Sequence, residues 1–237
     1  MVLALTSQKG GVGKSSLAFN LATLFARDGI LTCIADSDDN QTCLRWYENR
    51  QDQTRKLPTV DVISMPDEVL HSQMKRLKTL YDLIIIDGMP TLGKTMTKIL
   101  YAADYALIPI QLTGPDPGTL NSFADRIAAV NDDRDIPLST GVVLNRFDGR
   151  IQLVHRMREA LKDHPLNVYS QFITNRGIYG ESYLRGLGIN EILDDRGRYK
   201  NLDAVRELDL FYYALLSRLK QLHSGEFLAK LNIPLFI

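Results

Sequence analysis

Nine residues near the start of the chain, Gln8-Lys9-Gly10-Gly11-Val12-Gly13-Lys14-Ser15-Ser16, constrain the fold more than any other segment. They follow the apolar run VLALTS from Val2 and open the helical pattern SSLAFNLATLFARDG, in which Leu17, Leu21, Leu24 and Phe25 share one face and Gly29 is a stop signal. A strand, a glycine loop and a helix in that order form the setting a phosphate-cradling loop requires. Glycines let backbone N–H groups turn inward without a Cβ clash, and the helix N-terminus adds partial positive charge. Lys14 is placed to reach β- and γ-phosphates, and the Ser15 hydroxyl to ligate Mg²⁺. Gly10, Gly11, Val12, Gly13, Lys14, Ser15 and Ser16 are therefore the expected phosphate-binding set.

The rest of the chain repeats the same alternation. Apolar runs occur at LTCIAD (from Leu31), VDVIS (from Val60), DLIIID (from Asp82), YALIPI (from Tyr105) and STGVVLN (from Ser139), with helical patterns between them. Several are continuous, as expected for strands covered on both faces. The reading is an α/β fold: a doubly wound, mostly parallel sheet with helices on both faces, in one domain over 1–237. A C-terminal helix and an apolar tail, FLAKLNIPLFI, occupy about 201–237. Pro234 interrupts the tail and Lys230 is its only charge, so packing onto the domain or a partner subunit is favoured over a membrane anchor. No run of eighteen apolar residues occurs, the start lacks signal-peptide features, and Cys33 and Cys43 form no CxxC pair; a cytoplasmic location is expected.

Charge excludes one class outright. Twenty-eight basic residues balance 28 acidic ones, unlike a constitutive polyanion binder. The balance is uneven: from Arg146 onward there are 14 basic and 11 acidic residues, net +3, against 14 and 17, net −3, before it.

The glycine loop departs from the general pattern GxxxxGK[ST], because Gln8 stands at its first glycine; KGGxGK[ST], with an extra Lys9, fits instead. Here the sequence resembles the deviant Walker A ATPases of the ParA/MinD family, closest to the short partition ATPases. The resemblance implies a P-loop fold, ATP and Mg²⁺ as cofactors, and a homodimer in the ATP state, with Lys9 crossing to the partner's nucleotide. Asp36-Ser37-Asp38-Asp39-Asn40-Gln41 is similar to the family's first switch, D-x-D-P-Q, although Asp39 replaces proline and Asn40 glutamine. By that likeness Asp38 positions the attacking water and Asp36 supports the metal. Asp82–Asp87 followed by Gly88-Met89-Pro90 resembles Walker B with its second switch, delivering Asp87 to the metal. Val142-Val143-Leu144-Asn145-Arg146 matches the strand whose asparagine reads adenine, implying that role for Asn145. The implied catalytic set is Lys9, Lys14 and Asp38.

The leading functional expectation is a DNA-partition switch whose ATP dimer binds nonspecific DNA and is released when a ParB-like partner stimulates hydrolysis, which would associate it with the nucleoid. Arg176, Arg185, Arg206, Arg218 and Lys220, in the basic final third, are candidate phosphate contacts. An accessory ATPase of conjugative DNA transfer and a MinD-like positioning ATPase on a membrane or protein cargo are the alternatives. Cluster-bearing relatives of the nitrogenase type are disfavoured by the cysteine spacing.

Overall fold

The computed structural model describes residues 1–91, 93–111, 117–148 and 151–222; the apolar tail lies outside them. Seven strands form one sheet: β1 (Val2–Ser7), β2 (Thr32–Asp36), β3 (Val60–Ser64), β4 (Leu83–Pro90), β5 (Tyr105–Ile110), β6 (Ser139–Phe147) and β7 (Val168–Thr174). Their order is β3-β2-β4-β1-β5-β6-β7, and every pairing is parallel. The helices are α1 (Lys14–Arg27), α2 (Thr42–Gln51), α3 (Leu70–Leu80), α4 (Lys94–Ala102), α5 (Pro117–Asn131), α6 (Ile151–Leu161), α7 (Gly177–Arg185) and α8 (Leu202–Leu222), with a 3-10 turn at Ile189–Glu191.

Alternation along each strand divides the core into two layers. Leu3, Leu5, Ile34, Ile85, Leu107 and Val143 face one side, packed with α1, α2 and α8. Val2, Ala4, Ala35, Ile84, Ile86 and Ala106 face the other, packed with α3, α4 and α5. Both faces are covered, which is why the strand runs are continuously apolar.

β1 lies between β4 and β5, so chain direction across the sheet reverses at its carboxyl end. In an open α/β sheet that crevice is where ligands bind, and the glycine loop leaves β1 there. α2 is held to the distal part of the chain. Trp46 stacks on Phe19 with centroids 5.0 Å apart, and its indole N–H donates to the Leu187 carbonyl at 3.2 Å. Arg50 forms a buried two-point bond to Glu191 (2.7 and 2.9 Å) and lies over the Trp46 ring. Gly186 ends α7 with φ 61, and a Cβ there would collide with the Arg50 backbone.

Candidate nucleotide-binding site

The Ser7 hydroxyl donates to the Lys9 carbonyl at 2.8 Å and turns the chain out of β1. Gly11 (φ 75) and Gly13 (φ 87) adopt the left-handed conformation that side chains disfavour. A Cβ at Gly13 would also sit 2.5 Å from Nδ2 of Asn145, whereas one at Gly10 or Gly11 would meet nothing within 4 Å. The loop is thus tight at its base and open at its mouth. α1 starts with no side-chain cap and no acidic residue in its first turn, which leaves its first N–H groups for an anion. Val12 is buried, Ser15 and Ser16 are half-buried, and Lys9 is exposed.

Lys14 is buried, and that burial lowers its pKa; Asp87 and then Asp38 act in the opposite direction. Asp36 and Asp87 are register partners at the carboxyl ends of β2 and β4. Asp36 accepts backbone N–H bonds from Leu44 (3.0 Å) and Asp38 (3.2 Å), which moderate the upward push of burial on its pKa. Asp87 is fully buried and its pKa is pushed up to about 7. Burial is the main cause and the charge of Asp36 adds to it, while the Ser15 hydroxyl, Lys14 and the Cys43 thiol oppose it. Oδ2 of Asp87 accepts the Cys43 thiol at 3.3 Å, but Oδ1 is buried without a hydrogen-bond partner. An orphaned carboxylate oxygen facing a serine beside an open, uncapped loop fits a hard divalent cation bound with phosphate. Ser15, Asp36 and Asp87 are the oxygen donors that would hold Mg²⁺.

Asp38 is not a helix cap. Its Oδ1 accepts the Asn40 N–H (3.0 Å) and amide Nδ2 (2.9 Å), while α2 begins after Gln41, which has φ 49. Asn145 is buried against the loop: Nδ2 donates to the carbonyls of Val12 (2.8 Å) and Gly13 (3.4 Å). Two acceptors on that side fix the amide orientation. Arg146, with φ 52, donates to the Gly11 carbonyl at 2.6 Å.

The five candidate DNA contacts are not gathered into one patch. Arg176, after the carboxyl end of β7, pairs with Glu207 at 2.5 Å, and Arg185 pairs with Glu181 at 3.0 Å. Arg218 lines a groove with Tyr105 and Val168, the first residues of β5 and β7, at the opposite end of the sheet. Arg206 and Lys220 are exposed on α8, about 21 Å apart along its axis at 1.5 Å per residue.

Three contributors escaped the sequence reading. Cys43, weighed only for cluster chemistry, touches Asp87; its place in the first turn after the Asp36 loop is the signal that could have found it. Arg146 adjoins the noticed Asn145. The Arg50–Glu191 link spans 141 residues and has no local signal.

A profile of the CobQ/CobB/MinD/ParA nucleotide binding domain matches residues 3–189. The chain belongs to this family. The chromosome partitioning protein ParA of Myxococcus xanthus is 26% identical over 200 residues, covering 69% of this chain and 71% of that protein. The sporulation initiation inhibitor protein Soj of Bacillus subtilis is 25% identical, covering 87% and 97%. Among solved structures, a Borrelia burgdorferi protein described as a plasmid partition protein, bound to AMPPNP, superposes with a TM-score of 0.67 at 22% identity, covering 92% and 98%. The Aquifex aeolicus MinC:MinD complex gives 0.66 at 17% identity, covering 91% and 95%. The fold is that of a ParA/MinD-like P-loop protein, and the chain is ParA-like.

Proposed function

We propose that this protein is an ATPase that dimerises on ATP and acts as a DNA-partition switch. Gly10–Ser16 backbone N–H groups and Lys14 hold the phosphates, while Ser15, Asp36 and Asp87 hold Mg²⁺, which supplies charge neutralisation at the β- and γ-phosphates. Asp38 orients the attacking water. Asn145 offers its Oδ1 to the adenine amino group while its N–H bonds brace the loop. Lys9 reaches the partner's nucleotide. The ATP dimer binds nonspecific DNA, and a ParB-like partner stimulates hydrolysis and release.

The observation that carries this reading is the disposition of charge around the loop. Lys9 is exposed, and Lys14 is buried within the influence of Asp87 and Asp38. An exposed lysine beside a buried one supports a reading in which the first serves a partner's nucleotide and the second a bound phosphate. Sedimentation with ATP tests it together with single-turnover hydrolysis. Lys9→Ala is expected to stay monomeric with ATP. Asp38→Ala is expected to dimerise but hydrolyse ATP about 100-fold more slowly or worse, the scale of a positioned acid–base group. Normal turnover in Asp38→Ala would sink the switch assignment.

A further inference from the structure

The end of the sheet away from the glycine loop holds a second concave surface. A groove of about 380 Å³ lies between the start of β7 and the C-terminal part of α8, with Tyr105, Asn167, Tyr169, Ser217, Arg218 and Gln221 in its lining. Tyr105 opens β5 and is the register partner of Leu3 in β1, whereas the glycine loop leaves β1 after Ser7. The groove and the phosphate loop therefore lie toward opposite ends of the strands. None of the residues lining the groove is acidic, and Arg218 gives it a positive charge.

The phenols of Tyr105 and Tyr169 meet here, their oxygens 2.8 Å apart. Tyr105 is fully buried, and Tyr169 packs edge-on against Phe211 of α8 with centroids 5.1 Å apart, which holds both rings in place. A Cβ on Gly141 would collide with the Tyr105 hydroxyl and the Tyr169 ring, so the glycine in β6 makes room for the pair. Burial raises the pKa of both phenols, that of Tyr105 to about 12, and the charge of Arg218 acts against the rise in each. Both are protonated donors at neutral pH.

Donor arithmetic leaves this cluster short of an acceptor. Two hydroxyls joined by one hydrogen bond spend one proton between them, and neither bonds elsewhere among the described residues. The Arg218 guanidinium carries N–H donors in a planar fork and has no carboxylate partner among the described residues; its Nη1 donates to Gln221 Oε1 at 3.5 Å, the outer limit of a bond. An unspent phenol proton beside such a guanidinium calls for a ligand that accepts several hydrogen bonds and carries negative charge.

We infer that Tyr105, Tyr169 and Arg218 form a binding site for a small molecule bearing an oxyanion, its carboxylate or phosphate group held by the Arg218 guanidinium and the unspent phenol proton. The groove has the volume of a small-molecule site, so the anionic group brings a metabolite-sized body with it. The bound molecule ties α8 to the first residues of β5 and β7. Nothing in this site depends on nucleotide binding.

Inorganic phosphate and benzoate, titrated separately into the nucleotide-free, full-length protein at constant ionic strength, test the site by two-dimensional NMR of the amides of residues 168–171 and 214–221. The expected result is a saturable shift of these amides with at least one probe. Phosphate alone identifies a phosphate ligand, benzoate alone a carboxylate, and both a site for either oxyanion; shifts at Gly11 and Gly13 report phosphate in the glycine loop separately. Arg218→Gln should weaken the groove response roughly 10-fold or more, the cost of a lost hydrogen bond to a charged group. Arg218→Lys should weaken it less, because the charge remains. Arg206→Gln, elsewhere on α8, should leave it unchanged. Tyr105→Phe combined with Tyr169→Phe removes both hydroxyls and should weaken binding roughly 2–10-fold, with circular dichroism melting to check that each variant is folded. No saturable shift of the groove amides with either probe, or equal affinity in folded Arg218→Gln, overturns the site.

Discussion

Two sets of positive charge in this molecule are treated in opposite ways. At the glycine loop, Lys14 is buried and balanced by Asp87 and Asp38 acting on it from nearby, with burial as the dominant influence. In the distal third, Arg176 and Arg185 lie at the surface in close pairs with Glu207 and Glu181. A buried charge without a close partner is costly, and a ligand that neutralises it recovers the cost. A solvated pair at the surface is worth only about 0–1 kcal/mol and is readily exchanged. The loop is therefore poised to bind an anion, whereas Arg176 and Arg185 of the distal third are already paired at the surface.

The largest expected effect breaks the first half of this contrast. Lys14→Ala should weaken ATP by roughly 100-fold or more, since truncating one partner of a buried charged contact costs at least about 2–5 kcal/mol. Calorimetric titration checks it, and the same variant should unfold in urea no more easily than the parent, because the burial cost of the Lys14 ammonium outweighs its attraction to Asp87 and Asp38. Next comes Arg50, which is buried like Lys14 but fully paired. Arg50→Ala should destabilise the fold by about 3–5 kcal/mol by leaving Glu191 buried and alone, read as a lower urea midpoint.

Asp87 supplies a pH test. Its folded pKa is raised, so the folded chain binds a proton that the unfolded chain has already lost. The resulting penalty is absent below the ordinary carboxylate range, grows as pH rises from about 4, and levels off above about 7. Asp87→Asn should thus gain stability over the parent as pH rises through that window, by up to about 1.4 kcal/mol per pH unit, in nucleotide-free urea melts. An advantage independent of pH would contradict the assignment. The smallest effects belong to the distal third: Arg206→Ala should reduce the salt slope of DNA binding by roughly one unit, with little change in stability. Arg176→Ala should change stability by no more than about 1 kcal/mol, since its pair with Glu207 is partly exposed.

Most of the architecture was readable because each buried strand is a short apolar run with glycine or polar punctuation. DLIIID from Asp82 became β4, and the glycine loop emerged between β1 and α1 as expected. α8 starts at Leu202, in line with the C-terminal helix expected from about 201, and Asn201 Oδ1 accepts the Ala204 N–H there. The sheet is also wholly parallel, and the Asp38 carboxylate closes a local turn with Asn40. Contacts between distant residues left no local trace. Cys43 and Asp87 are 44 residues apart, and Asn145 lies 133 residues from the Val12 carbonyl it braces. The surface charges were visible as residues but not as pairs, so the separation of Arg176 from Arg218 could be read only from the fold.

The central claim is that a neutral chain acquires affinity for DNA only in its ATP state. Binding of a nonspecific duplex, measured across a salt series with ATP, ADP and no nucleotide, tests it most directly. The account predicts binding with ATP alone, a steep loss as salt rises, and no binding by Lys14→Ala under any condition. Binding of equal strength with ADP or without nucleotide, or none with ATP at low salt, would contradict it.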